Sequence, residues 1–155
     1  MAIAARRVGA ENSATRALIL KATAELIRDE GYGAVSSRRV AAHAGLKPSL
    51  VHYYFPTTDD LLLAVSAMGA EESDRMIERA LASDDPIRAL WGFYTDPRRM
   101  EMALEFMALA NHRKALRQHM AEHCETMRMR EAEVLARLIG ERMGALGKCP
   151  PAGLS

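Results

Sequence analysis

From Ser36 to Phe55 the chain reads SSRRVAAHAGLKPSLVHYYF, and this stretch limits the fold more than any other. Val40, Ala41, Ala44 and Leu46 supply apolar positions before and through a turn. Val51 and Phe55 supply them after it, four residues apart and so on one helical face. Gly45 stands where the chain must reverse, and glycine takes φ > 0 at little cost. Pro48 suits the first position of a new helix, where its missing N–H is not needed. The pattern predicts two short helices joined by a tight glycine turn.

The other positions of the stretch carry its chemistry. Arg38, Arg39 and Lys47 are basic, and no Asp or Glu occurs between Ser36 and Phe55. His52, Tyr53 and Tyr54 are large hydrogen-bonding side chains on a helix too short to hide them all. A basic, acid-free helix-turn-helix is the geometry that enters a DNA major groove. The net charge of the 155 residues is only +1, so the attraction to phosphate is local to one face.

The remaining composition predicts an all-α protein. Hydrophobic residues make up 49%, rich in Ala, Leu and Met, which are good helix formers, and strand-like runs of Val, Ile and Thr are absent. No apolar run approaches the roughly 18 residues that suggest a membrane span. The start lacks the apolar core of a signal peptide. Cys124 and Cys149 make no metal or redox spacing, which suits a reducing cytoplasm.

Taken in order, residues 1 to about 12 read as a flexible arm, with Arg6 and Arg7 near its middle. A helix over about 14–30 is predicted, capped by Ser13, with Leu18, Ala22 and Leu26 repeating beside Ile19 and Ile27. Tyr32, between Gly31 and Gly33, is expected to pack back on the core. Helices over about 37–44 and 48–54 form the motif. Thr57 and Asp60 then read as a capping box for a helix to about Leu81. Its early Leu61, Leu62, Val65 and Met68 should pack on the first three helices, and its later Met76, Ile77, Ala80 and Leu81 on the helices C-terminal to it. Asp85-Pro86 and Asp96-Pro97 each signal a helix start. The helix after Asp96 should bury Met100, Ala103, Leu104, Met107 and Ala108, with Phe106 at the edge. A long helix over about 114–145 should bury Leu116, Met120, Cys124, Met127, Val134, Leu135 and Leu138.

Three segments in order, TRALILKATAELIRDEGY, VSSRRVAAHAG and LVHYYFPTTDDLL, resemble the TetR family of bacterial transcriptional regulators. The resemblance implies a helix-turn-helix DNA-binding domain over 13–73 and a helical ligand-binding and dimerisation domain over 74–155. It implies DNA contacts from Ser37, Arg38, Arg39, Lys47, Ser49, Leu50, His52, Tyr53, Tyr54 and Thr58. Leu50 stands where Thr or Ser is usual, and Thr58 where Lys is common. Two further helices usually come next in the family, so the regulatory domain is expected to be C-terminally truncated and homodimerisation to belong to the full-length protein. The partners implied are a near-palindromic double-stranded operator and a small-molecule effector, and the expected role is a ligand-responsive repressor.

Met68, Met76, Trp91, Tyr94, Met102, Phe106 and Met107 are the candidate pocket residues, since flexible Met and aromatics suit either an adaptable pocket or an ordinary core. His112, His119 and His123 share a helical stripe, but two ligands and a nearby Glu do not close a metal site, and partly packed polar surface is the better reading. No cofactor is expected. There is no phosphate-cradling glycine loop, no nucleophile with a plausible base and no paired carboxylates in an apolar frame, so no enzyme is expected. A second reading is a helical ligand-binding or interaction protein whose DNA-binding head is vestigial.

Overall fold

The structure is a computed structural model that describes residues 14–146, with side chains described as far as residue 140. Ser13, Arg6, Arg7 and Cys149, and the ends they belong to, lie outside the described residues. Among the described residues seven α-helices succeed one another: α1 (Ala14–Glu30), α2 (Ser37–Ala44), α3 (Pro48–Tyr54), α4 (Thr58–Leu81), α5 (Pro86–Tyr94), α6 (Pro97–Ala110) and α7 (Lys114–Leu146). A 3-10 turn over Tyr32–Ala34 joins α1 to α2. No strand occurs among the described residues.

The caps explain the boundaries. The Ser36 hydroxyl accepts from the Arg39 N–H and opens α2, and Gly45 closes it in the left-handed region at φ 66, ψ 31. The Leu46 N–H then reaches the Ala41 carbonyl at 2.8 Å, which satisfies an orphan carbonyl of the helix end. Thr57 and Asp60 form a reciprocal capping box at the start of α4. Asp85 and Asp96 cap α5 and α6, with proline next in each.

Helices α1 to α3 pack on the first half of α4. Ile19, Ile27, Val40, Val51, Leu61 and Leu62 are all but fully buried there. Phe106, Leu109 and Ala110 of α6 and Leu116 of α7 belong to the same apolar cluster. A second cluster gathers Ile77 and Ala80 of α4 with Leu90 of α5. Helix α4, about 36 Å long at the usual rise, therefore runs from one cluster into the other.

Four sequence expectations change. Leu18 is exposed, and the buried residues of α1 are Ile19, Leu20, Ala22, Thr23, Leu26 and Ile27. Tyr32 is exposed because the 3-10 turn carries it off the core. On α6 the core takes Phe106, Leu109 and Ala110, while Met100, Leu104 and Met107 are exposed. Apolar residues occupy most of that helix's circumference, so periodicity alone does not choose its buried side. On α7 only Leu116 of the predicted stripe is buried, and Cys124 and Leu135 are exposed, since few elements cover the far length of this helix.

Candidate nucleic-acid interface and cavity

The short helix α3 divides cleanly. Val51 and Phe55 are buried, which turns the opposite face to solvent. Lys47, Ser49, His52 and Tyr53 are exposed, and Leu50 and Tyr54 are half-buried. Tyr53 and Tyr54 meet edge to face at 5.2 Å. Lys47 is held extended at φ −83, ψ 140 by the following proline, so its side chain leaves the protein just ahead of α3. Arg16 of α1 stacks over the Phe55 ring at 5.3 Å and packs the rear of the helix.

The neighbouring positions are not equivalent. Arg38 is exposed on the first turn of α2 and Ser37 is half-buried beside it. Arg39 instead lies against α1, where its Nη2 is 2.6 Å from both oxygens of Glu30. That bond holds the Glu30 carboxyl below its ordinary value and raises the Arg39 guanidinium further. Thr58 is half-buried in the first turn of α4. His43, which sequence pattern alone does not single out, pairs with Glu25 at 3.2 Å.

A cavity of about 780 Å³ lies among α1, α4, α6 and α7. Of the seven candidate pocket residues, Met68, Met102, Phe106 and Met107 line it. Met76 is not on its wall but sits behind it, its sulfur 3.1 Å from Arg99 Nη1. Trp91 is 71% exposed on α5, away from the cavity. Tyr94 is also outside, with its hydroxyl donating to Glu131. Burial and that carboxylate push the Tyr94 hydroxyl well above its ordinary value.

The polar part of the wall is not legible in the sequence. Arg99 sits in the first turn of α6, in an Asp-Pro-Arg-Arg run that reads as solvated surface. In the fold it stacks over Phe93 at 4.0 Å and donates to the Ser73 hydroxyl at 2.7 Å. Burial lowers its pKa. His119 and His123 also face the cavity. His123 lies 4.0 Å from Asp74, and burial draws the imidazole below 6.5. His112, the third of the stripe, is exposed, and no group of three metal-ligating side chains occurs among the described residues.

Two polar links join the cavity's walls to the first three helices and their neighbour. The Tyr32 N–H donates to Glu105 of α6 at 3.1 Å. Arg113, between α6 and α7, pairs with Asp59 at the start of α4. Asp59 lies only four residues beyond Phe55, so this pair sits next to the end of α3.

Residues 19–65 match the family model for bacterial regulatory proteins of the tetR family. Solved structures agree over most of the chain. A TetR transcription regulator from Haloarcula marismortui ATCC 43049 is 25% identical with a TM-score of 0.70, covering 82% of this chain and 71% of its own. A TetR-family member from Streptomyces coelicolor A3, SCO1917, is 26% identical with a TM-score of 0.64, covering 74% and 71%. The multidrug binding protein EbrR complexed with ethidium is 25% identical with a TM-score of 0.65, covering 90% and 91%. No curated protein matches the chain in sequence. No described helix is long and apolar enough to cross a membrane. The helix-turn-helix over Ser37–Tyr54 thus sits inside the region that matches the tetR-family model, and the chain shares the fold of TetR-family DNA-binding transcriptional regulators.

Proposed function

We propose that the chain acts as a ligand-responsive repressor on a near-palindromic operator. Two copies would each lay α3 in a major groove, with the half-sites roughly 34–36 Å apart. The observation that carries this reading is the split of α3, whose apolar side is buried while Lys47, Ser49, His52 and Tyr53 remain exposed beside an exposed Arg38.

Each reader has a distinct role. Arg38 can donate two bonds to a guanine edge. Lys47 and Ser49 stand at the start of α3, suited to phosphate and base contacts. His52 and Tyr53 lie one turn further, Tyr54 suits a phosphate, and Leu50 offers an apolar touch to a thymine methyl. Ser37 and Thr58 stand at helix starts, where hydroxyls and backbone N–H groups can meet phosphates. Arg39 would first have to release Glu30, so it ranks last among the basic contacts.

The division into a DNA-binding unit over 13–73 and a regulatory unit over 74–155 accords with these roles, although one apolar cluster bridges both. A small molecule in the cavity would press on α4 and α6, whose residues line it. Through α4, the Glu105–Tyr32 bond and the Arg113–Asp59 pair, that pressure reaches α1 and the end of α3. A change in the spacing of two reading helices lowers DNA affinity, provided the ligand binds the two arrangements unequally. EbrR, crystallised with imidazole, malachite green and ethidium, supports a ligand-binding role for the corresponding region. Exposed apolar residues such as Trp91, Leu104 and Ile139 would give a second copy surface to bury. A regulator that acts on chromosomal DNA would work in the cytoplasm.

Selection from a random duplex pool by the 155-residue chain tests this reading. Enrichment of a near-palindrome with half-sites about one helical turn apart is expected. Recovery of no sequence preference at any salt concentration would favour the interaction-protein reading instead.

A further inference from the structure

The cavity's charge says what class of molecule it takes, granted that the chain is ligand-regulated. Most of the wall is apolar, with Met68, Met102, Phe106 and Met107 as a deformable bed. Its charged members are Arg28, Arg75, Arg98 and Arg99 against one acid, Glu72. Glu72 is already occupied: Arg75 binds it at 3.0 Å and Arg79 at 3.5 Å. A cationic ligand would have to displace one of those guanidinium groups.

Of these four arginines Arg99 is the half-buried one, the others being exposed. Its partners are the Ser73 hydroxyl at 2.7 Å and the Met76 sulfur at 3.1 Å, and its carbon lies over the Phe93 ring. Neither polar partner carries charge. Asp96 accepts from the Arg98 N–H at 2.9 Å, and no carboxylate among the described residues lies within ion-pair distance of Arg99, although Asp96 and Glu72 act on it at longer range. A half-buried guanidinium with neutral partners favours an incoming carboxylate strongly, because charge-assisted bonds are about twice as strong as neutral ones. On the α7 wall, His119 Nε2 is buried with no hydrogen-bond partner, so a second polar group awaits a bond there. A volume of about 780 Å³ accommodates a molecule well beyond a simple ion.

We propose that the cavity binds an amphipathic organic anion, an apolar body carrying a carboxylate, with Arg99 receiving the carboxylate and the methionine bed receiving the body. Calorimetric titration of the full chain with decanoate, decanol and decyltrimethylammonium tests it, since the three share a tail and differ in head charge. Decanoate should bind about tenfold or more tighter than the other two. Arg99→Met should reduce decanoate to the level of decanol while decanol itself binds unchanged, which also shows that the variant is folded. Arg99→Lys should keep most of the preference. Equal binding of all three, or tighter binding of the cation, would overturn the anion assignment and leave a ligand-regulated cavity standing. Decanoate preference that survives Arg99→Met would overturn the role of Arg99. Binding of none of the three would overturn this proposal, while the operator selection tests the regulator reading separately.

Discussion

Glu105 of α6 accepts a hydrogen bond from the Tyr32 N–H at 3.1 Å, tying the cavity's wall to the turn between α1 and α2. The two residues are 73 positions apart, and few other polar contacts cross that distance. Such a bond contributes about 1 kcal/mol. Glu105→Ala should therefore speed amide exchange at Tyr32 by roughly fivefold, at the about 1 kcal/mol that the bond supplies. Unchanged exchange would show that this bond does not hold the turn.

The two basic residues at the start of α2 should behave differently. Arg38→Ala should cost about 1–3 kcal/mol in binding a selected operator and much less on unrelated DNA. Arg39→Ala should cost less on the operator, because its guanidinium is held by Glu30. Competition titrations of both variants check this. Equal losses on specific and unrelated DNA for Arg38→Ala would make it a phosphate contact only.

Much of this was legible in the sequence, and the illegible remainder has identifiable causes. The caps at Ser36, Thr57–Asp60, Asp85 and Asp96, the left-handed Gly45 and the path of α4 all come from local rules, because the donors and acceptors lie within a turn of each other. The buried side of α6 did not. Met100 and Leu104 are as apolar as Leu109, and only the position of α1 and α7 decides which is covered. Arg99 and Glu105 were illegible for the same reason. Their partners, Ser73 and Tyr32, lie 26 and 73 residues away. The outward residues of α3 were readable because a seven-residue helix has only one face to bury.

Stability should respond at the caps and the core. Thr57→Ala removes one half of the capping box and should cost about 1 kcal/mol. Ile77→Ala empties a nearly fully buried site in the smaller cluster and should cost about 2–5 kcal/mol. Urea unfolding of the two variants measures both. A smaller loss for Ile77→Ala than for Thr57→Ala would contradict the packing described.

Acid should weaken the fold through His123. Burial holds its folded-state pKa below 6.5, with His119 and Arg130 acting the same way and Asp74 opposing them. As pH falls, the unfolded chain takes up this proton before the folded one does. The contribution is thus fully present above pH 6.5 and is lost as pH drops through the lower folded value. His123→Gln should flatten the decline of stability just below pH 6.5. An identical pH profile in the variant would show that other groups govern it.

Photo-crosslinking shows whether the outward face of α3 reads DNA. A benzoylphenylalanine replaces either Tyr53 on α3 or Tyr94 on α5, and each protein is irradiated on the selected operator. Crosslinks are expected from position 53 to bases within the half-sites and none from position 94. Crosslinks from position 94, or none from position 53 on DNA that the protein demonstrably binds, would contradict it.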